Sequence, residues 1–344
     1  MSPTELIRLT PSELRQRVAR LPRIPFAFTP TPLEDCPRLS QAIGGPRILI
    51  KRDDLTGFAF GGNKVRALEF RMADARAKGC DAFVLVNVAQ SNHARLHSAA
   101  CVRLGMKMVI VKPGPKNERP AGNLLLDRIL GVDVVETGTT DEQELECITD
   151  EVIEGLRRRG YTPYVAPRDP FSPLCGTIAY AEASIELMDQ LRSQGIEARH
   201  IFLVGGTSAA GLALGGKLLG ADYRVHAVSV GDSKQGLLER EVELSNGAAR
   251  VLGLPPLMEP SDFSTYDEYV GGQYAAVTPE TLEAIRLAAR TEAIFLDPVY
   301  TGKAMSGLIG EIRKGNIARD ESVVFVHTGG TPIIFASADC LADL

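Results

Sequence analysis

Lysine is the first residue to weigh, because a neutral amine attacks a carbonyl. The segment Gly61-Gly62-Asn63-Lys64-Val65-Arg66 places Lys64 behind two glycines at the start of a helical pattern. A cation gains nothing near a helix N-terminus, whose exposed N–H groups are already positive, and a desolvated amine beside other positive charge has a lowered pKa. A solvated helix lysine fits the same spacing. A second cluster, Gly205-Gly206-Thr207-Ser208-Ala209, follows the apolar run Ile201 to Val204 and opens a helix of small residues. Its backbone N–H groups and the helix dipole suit a small phosphate group, although a plain tight turn accounts for the glycines equally well. It is no Walker loop, since no Gly-Lys-Ser/Thr follows, and it fails the Gly-x-Gly-x-x-Gly dinucleotide pattern. A third cluster, Gln90-Ser91-Asn92-His93, opens another helix. One of its polar residues serves as an N-cap, and the remaining hydroxyl, amide and N–H groups suit a carboxylate. Asp297-Pro298-Val299-Tyr300-Thr301-Gly302-Lys303 and His327-Thr328-Gly329-Gly330 lie near strand ends and taken singly are turns.

The elements that must position these groups are legible as alternation. Apolar runs at Ile48 to Ile50, Ala82 to Val86, Met108 to Val111, Val132 to Val135, Ile201 to Val204, Val225 to Val230 and Val323 to Val326 read as buried parallel strands. Segments such as Lys64 to Lys78 and Ser91 to Leu104 carry helical periodicity between them. The fold class is therefore α/β, with open, mostly parallel twisted sheets. With 344 residues, roughly two domains of about 150 residues are expected. A small α/β domain over residues 59–163 is inserted into a large domain formed by residues 1–58 and 164–344, and the Pro-rich stretch Arg23 to Leu33 is an extended arm reaching the later unit. The ligand cleft lies between them. Composition excludes other classes. A charge of −5, from 38 basic and 43 acidic residues, argues against nucleic acid as a partner. No apolar run approaches the roughly 20 residues of a membrane span, and the N-terminus lacks a secretion signal, so a cytoplasmic location is expected. The six cysteines have no Cys-x-x-Cys spacing and are expected to be reduced, mostly buried thiols.

Taken together the motifs carry a resemblance. Lys51-Arg52-Asp53-Asp54, the Gly-Gly-Asn-Lys segment continuing to Phe70, Gln90-Ser91-Asn92-His93, Gly122 to Gly131, Leu296 to Met305 and His327 to Gly330 stand in the order found in the D-cysteine desulfhydrase and 1-aminocyclopropane-1-carboxylate deaminase family of pyridoxal-phosphate enzymes. The chain is similar to that family from about Arg23 to Ala336. The resemblance implies the two-domain tryptophan-synthase-β-like fold (fold type II), pyridoxal 5'-phosphate as cofactor, a small amino-acid substrate, no metal and a homodimer. It makes Lys64 the residue covalently joined to the cofactor and the base at the substrate, with Lys51 a structural match. Asn63 and Asn92 fall on the cofactor side, Asn92 at the phenolic oxygen. Gly205, Gly206, Thr207, Ser208 and Ala209 hold the phosphate, and Thr328 faces the pyridine nitrogen. Ser91, Asn92, His93, Ser172, Tyr274 and Tyr300 face the substrate, with Ser91, Tyr274 and Tyr300 joining Lys64 in the chemistry.

The implied reaction removes the α-proton, expels a β leaving group and releases pyruvate and ammonia. A hydroxyl at position 328 only hydrogen-bonds the ring nitrogen, which suits elimination better than transamination or racemisation. Ring-opening deaminases typically carry Glu where this chain has Thr301 and Leu where it has Thr328, so both choices resemble the desulfhydrase branch. The expected activity is β-elimination on D-cysteine or a related β-substituted amino acid. L-cysteate sulfo-lyase, cyclopropane deaminase, β-replacement and a non-catalytic binding homologue are the alternatives. The chain departs from the family at Asn87-Val88-Ala89, and where the family has Gly-Gly-Ser it has Arg168-Asp169-Pro170-Phe171-Ser172. Arg168 there either meets an acidic substrate group, pairs with Asp169, or lies outside the pocket.

Overall fold

The computed structural model describes residues 7–342. Among these are ten strands: β1 (Leu33–Asp35), β2 (Arg47–Lys51), β3 (Ala82–Val86), β4 (Lys107–Lys112), β5 (Asp133–Glu136), β6 (Pro163–Val165), β7 (His200–Val204), β8 (Arg224–Val228), β9 (Phe263–Tyr266) and β10 (Ser322–Val326). They form two sheets. One has the order β1-β2-β10-β7-β8-β9 and is parallel except for the antiparallel β1–β2 pair. The other, β5-β4-β3-β6, is wholly parallel.

The apolar runs become strands because both faces of each sheet are covered. Ile48, Ile50, Val323 and Phe325 pack with Ile285 and Leu308 of the helices Pro279–Glu292 and Thr301–Arg313. Their neighbours Leu49, Val324 and Val326 point the other way, into a core with Ile178 and Leu212 of the helices Cys175–Ser193 and Thr207–Leu219. In the smaller sheet Phe83, Leu85 and Ile110 pack on Leu68 and Met72, and Val84 and Val109 on Ile153 and Leu156. Each such side chain contributes about 1.5–3 kcal/mol on burial.

The helix Lys64–Ala77 joins the two cores. Leu68 and Met72 belong to the core of the small sheet, whereas Ala67 and Phe70 belong to that of the large one. Its buried polar residues are matched in turn. Glu69 accepts the Phe26 and Ala27 N–H groups at 2.7 and 2.8 Å, and Arg66 donates to Asp53 and Glu186. The Arg23–Leu33 arm thus ties this helix to the helix Cys175–Ser193, where Arg23 also reaches Glu182. A helix held on every side is a rigid mount for whatever stands at its start.

Three segments converge there. β10 lies between β2 and β7, so the residues after Val326 and Val204 emerge side by side beyond the carboxyl ends of the strands. Among the described residues no helix is long and apolar enough to cross a membrane. All six cysteines are free, but only Cys36, Cys101 and Cys175 are buried; Cys80 is half-buried, and Cys147 and Cys340 are exposed.

Candidate active site

Beyond the ends of β7 and β10 lies a cavity of about 350 Å³, walled by Lys64, Asn92, Thr207, Ser208, Tyr300 and Thr328. Two glycines allow its walls to meet. A Cβ on Gly329, whose φ is +102°, would stand 2.8 Å from the Gly62 Cα, and the Asn63 N–H donates to the Thr328 carbonyl at 3.0 Å. The Asn63 side chain does not cap its own helix. It donates to the Ser208 hydroxyl at 2.8 Å, which fixes the start of the Lys64 helix against the start of the Thr207 helix.

Lys64 makes no ion pair among the described residues. Its Nζ stands 3.5 Å from Asn63 Oδ1 and 5.6 Å from the centre of the Tyr300 ring. Burial and the nearby Arg95 lower its pKa to about 8, against an opposing pull from Asp297, so a neutral fraction exists at physiological pH. Lys51 is the opposite case. Buried at 3% exposure, it donates to the Thr31 carbonyl at 2.6 Å, to Gln190 at 2.7 Å and to Glu186, which leaves its amine no reactive direction.

Of the five residues expected to bind phosphate, two have amides that are already engaged. The Gly205 N–H donates to the Val228 carbonyl at 2.9 Å, and the Gly206 N–H to Glu241 Oε1 at 3.0 Å. Gly206, at φ +118°, opens a helix that has no side-chain cap, so the N–H groups of Thr207, Ser208 and Ala209 are the ones left without intrahelical partners. Glu241, from the helix Lys234–Val251, was not singled out from sequence. It is fully buried, its Oε2 has no partner, and burial raises its pKa to about 8 despite the Gly206 N–H. A sequence signal for it exists: Leu237, Glu241, Leu244 and Ala248 share one helical stripe, and a lone acid on an apolar stripe is a buried one.

A neutral acid at this place avoids repelling an anion, and the shift has a consequence for stability. The folded protein holds a proton on Glu241 that the unfolded chain has released above about pH 4.5, so stability is full below that value and is lost as pH rises through about 8. Glu241→Gln keeps the acceptor for Gly206 and has no such loss. Its stability relative to the parent should therefore improve by a few kcal/mol between about pH 5 and about pH 9, read as melting temperatures of both proteins across that range. A difference that does not change with pH would mean that Glu241 is ionised throughout.

The segment after β3 is built as a cap with an amide beside it. Ser91 Oγ accepts the Ala94 N–H at 3.1 Å and caps the helix Asn92–Leu104, which leaves only its O–H to donate. Asn92 Oδ1 accepts from Asn123 Nδ2 at 2.9 Å, so its own NH₂ is directed elsewhere, and the Asn123 amide is held by the Gln90 carbonyl. His93 stacks on His97 with ring centres 4.1 Å apart. His97 Nδ1 donates to the His93 carbonyl at 2.7 Å, so its Nε2 accepts from Arg71, 3.0 Å away. Burial, reinforced by Arg71, keeps both rings neutral. Arg71 in turn donates to the Ser172 carbonyl, and Pro173 rather than Ser172 reaches the cavity wall.

On the opposite wall Asp297 organises the turn before the helix Thr301–Arg313. Its carboxylate accepts the N–H groups of Val299, Tyr300 and Thr301 and the Thr301 hydroxyl at 2.7–2.9 Å. The Tyr300 and Tyr274 hydroxyls are 2.5 Å apart, and burial raises both phenols so that they keep their protons. Of the three readings of Arg168, the structure shows the one outside the pocket, and neither Asp169 nor the cavity is its partner. Arg168 donates to Glu146 and, at 2.7 Å, to Asp150, two carboxylates one turn apart on the exposed face of the helix Glu142–Arg158, away from the cavity.

Sequence and fold comparisons show the family and the fold. Residues 24–329 match the family described as pyridoxal-phosphate dependent enzyme. A Pyrococcus horikoshii protein provisionally named 1-aminocyclopropane-1-carboxylate deaminase is 36% identical over 327 residues, 95% of this chain and 97% of that protein. A D-cysteine desulfhydrase from Klebsiella pneumoniae is 36% identical over 330 residues, covering 93% and 98%. The crystal structure of an ACC deaminase homologue superposes with a TM-score of 0.86 at 35% identity, over 96% of this chain and 98% of that one. The two-sheet architecture is the tryptophan-synthase-β-like fold. The chain belongs to the pyridoxal-phosphate dependent enzyme family.

Proposed function

We propose that the protein binds pyridoxal 5'-phosphate in the cavity beside Lys64 and catalyses β-elimination on D-cysteine or a related β-substituted amino acid, releasing pyruvate, ammonia and the leaving group. The observation that carries this reading is the Lys64 amine, unpaired and lowered to about 8, in one cavity with an uncapped helix N-terminus. The residues present fit the cofactor. Thr207, Ser208 and Ala209 offer N–H groups to a phosphate, and apart from the adjoining chain nothing stands within 4 Å of where a Gly206 Cβ would be. Asn92 has a free NH₂ for a phenolic oxygen, and the Thr328 hydroxyl suits a ring nitrogen.

When bound, the cofactor supplies the electron sink that makes a substrate α-proton removable. Lys64 is the group placed to take that proton at Nζ, since its lowered pKa keeps part of it neutral while two cations, Arg95 and Arg71, disfavour a further positive charge nearby. Ser91 Oγ–H and the start of the helix Asn92–Leu104 orient the substrate carboxylate, with neutral His93 alongside. The Tyr300 and Tyr274 hydroxyls, both protonated and mutually hydrogen-bonded, hold a proton for the departing group. Thr301 is locked onto Asp297 and supplies no charge to the cavity, which favours elimination over ring opening. With Arg168 turned away, no observation favours an anionic substrate such as cysteate.

The test is a substrate panel of D-cysteine, β-chloro-D-alanine, L-cysteate and aminocyclopropane carboxylate with protein loaded with pyridoxal phosphate. Pyruvate and sulfide from D-cysteine are expected. Pyruvate with sulfite from cysteate alone, or 2-oxobutyrate from the cyclopropane, would replace this reading with the corresponding one. A colourless protein that ignores pyridoxal phosphate would leave only a non-catalytic role.

A further inference from the structure

A second and larger space, about 610 Å³, is linked to the Lys64 cavity through contacts between their walls. It runs between loops of the two sheets and is walled by hydrocarbon from Val88, Ala89, Pro113, Pro298, Val299 and Ile333. No residue lines both spaces, but their walls touch. Tyr274 lines the larger one and its hydroxyl touches that of Tyr300, which lines the smaller. On the other side Gln90 lines the larger space while Asn92, two residues on, lines the smaller. Val88 and Ala89 are part of the segment in which this sequence departs from the family pattern, and the function proposed above makes no use of it.

The charge of the cleft narrows what it can hold. Its lining includes the carboxylates of Glu118 and Asp339 and no lysine or arginine. Lys112, whose Nζ donates to the Pro115 carbonyl of that wall, is buried and paired with Glu118 at 3.3 Å. An anionic group would meet like charge there, and a small polar group such as a bare thiol would leave most of the apolar wall wet. A neutral hydrocarbon group matches the wall.

We infer that this cleft receives the β-substituent of the substrate, and that the protein acts on S-alkylcysteines with bulky, neutral, apolar substituents as a carbon–sulfur lyase. The inference rests on the elimination reading above. In the overall step the Cα–H bond breaks with its proton passing to Lys64 Nζ. The Cβ–S bond breaks with its electron pair leaving on sulfur, which takes up a proton to become a thiol. One water is consumed and pyruvate and ammonia are released, so S-alkylcysteine and water become pyruvate, ammonia and alkanethiol with no oxidant or reductant. The Tyr274–Tyr300 hydroxyl pair stands between the two spaces, where a sulfur joined to both the reacting carbon and a group in the cleft would pass.

An S-alkyl series isolates the cleft, because thiol acidity hardly changes from methyl to hexyl while apolar contact grows with each methylene. Protein loaded with pyridoxal phosphate is assayed for pyruvate from S-methyl-, S-propyl- and S-hexylcysteine in both configurations, beside D-cysteine. The expected result is a kcat/KM that rises at least tenfold from S-methyl to S-hexyl in the configuration that is turned over. Val88→Trp, at a position 42% exposed, should then lower the hexyl-to-methyl ratio at least fivefold, and Thr140→Trp on the exposed rim serves if the first variant folds poorly. A rise of less than tenfold while D-cysteine is still consumed overturns the cleft assignment alone. Absence of pyruvate from every substrate, D-cysteine included, overturns the elimination reading and the cleft assignment together.

Discussion

Lys64→Ala should lower pyruvate release by about 10³–10⁴-fold, the loss expected when the attacking amine and the base are removed together, while the protein folds as before. Folding is spared because of the site's electrostatics. The amine has no carboxylate partner, stands near Arg95 and Arg71, and has a pKa lowered from 10.5 to about 8. A cation whose folded pKa is lowered binds fewer protons folded than unfolded, so the parent gains stability as pH rises from about 8 to about 10.5. Below that window the amine is charged in a place that disfavours charge, and removing it at about pH 7 should leave the melting temperature unchanged or higher. Lys51→Ala supplies the contrast, because its loss empties a buried position and takes one donor each from Glu186, Gln190 and the Thr31 carbonyl, so it should lower the melting temperature. Activity assays and melts of the two variants together separate the reactive lysine from the structural one. A Lys64→Ala protein that retains turnover would remove the chemistry argued here.

Gly329→Ala should cost at least a hundredfold in kcat/KM while changing the smallest possible group. Its Cβ would lie 2.8 Å from the Gly62 Cα, a backbone atom that no rotamer change can move, and the residue adopts φ +102°, where L side chains are strained. Relief requires the Thr328 loop to withdraw from the start of the Lys64 helix, which breaks the Asn63 N–H to Thr328 carbonyl bond. Lys64, Asn63 and Thr328 would then shift relative to Thr207 and Ser208, and displacements near 1 Å cost about 10² in rate. The check is kcat/KM on the best substrate of the panel together with the affinity for pyridoxal phosphate, both of which should fall. Unchanged values would show that the close approach of Gly62 and Gly329 is incidental to the site.

Much of the fold was legible because parallel strands buried on both faces are written as unbroken apolar runs. β2, β3, β4, β7 and β10 stand within one or two residues of where those runs lie. The strands β1, β6 and β9 were not visible, being three or four residues long and containing Glu34, Asp35, Pro163 or Ser264, so that only pairing with a neighbour defines them. In the site, Ser91 was legible as an N-cap through its type and place, whereas helix electrostatics left Lys64 open between a reactive amine and a solvated lysine, and only the family resemblance singled it out. Contacts that join distant segments were not. The Arg71–His97 pair spans 26 residues and the Gly206–Glu241 bond 35, and nothing local marks either end as a partner. The same limit explains Arg168, which stands beside Asp169 in sequence but finds Glu146 and Asp150 across the fold.

The central claim is that one amine carries the cofactor. Protein loaded with pyridoxal phosphate is reduced with borohydride, digested and mapped by mass spectrometry, with Lys64→Ala treated in parallel. The expected result is a single pyridoxyl-modified peptide containing Lys64 and no modified peptide from the variant; modification at Lys51 or at any other lysine in place of Lys64 would contradict the account.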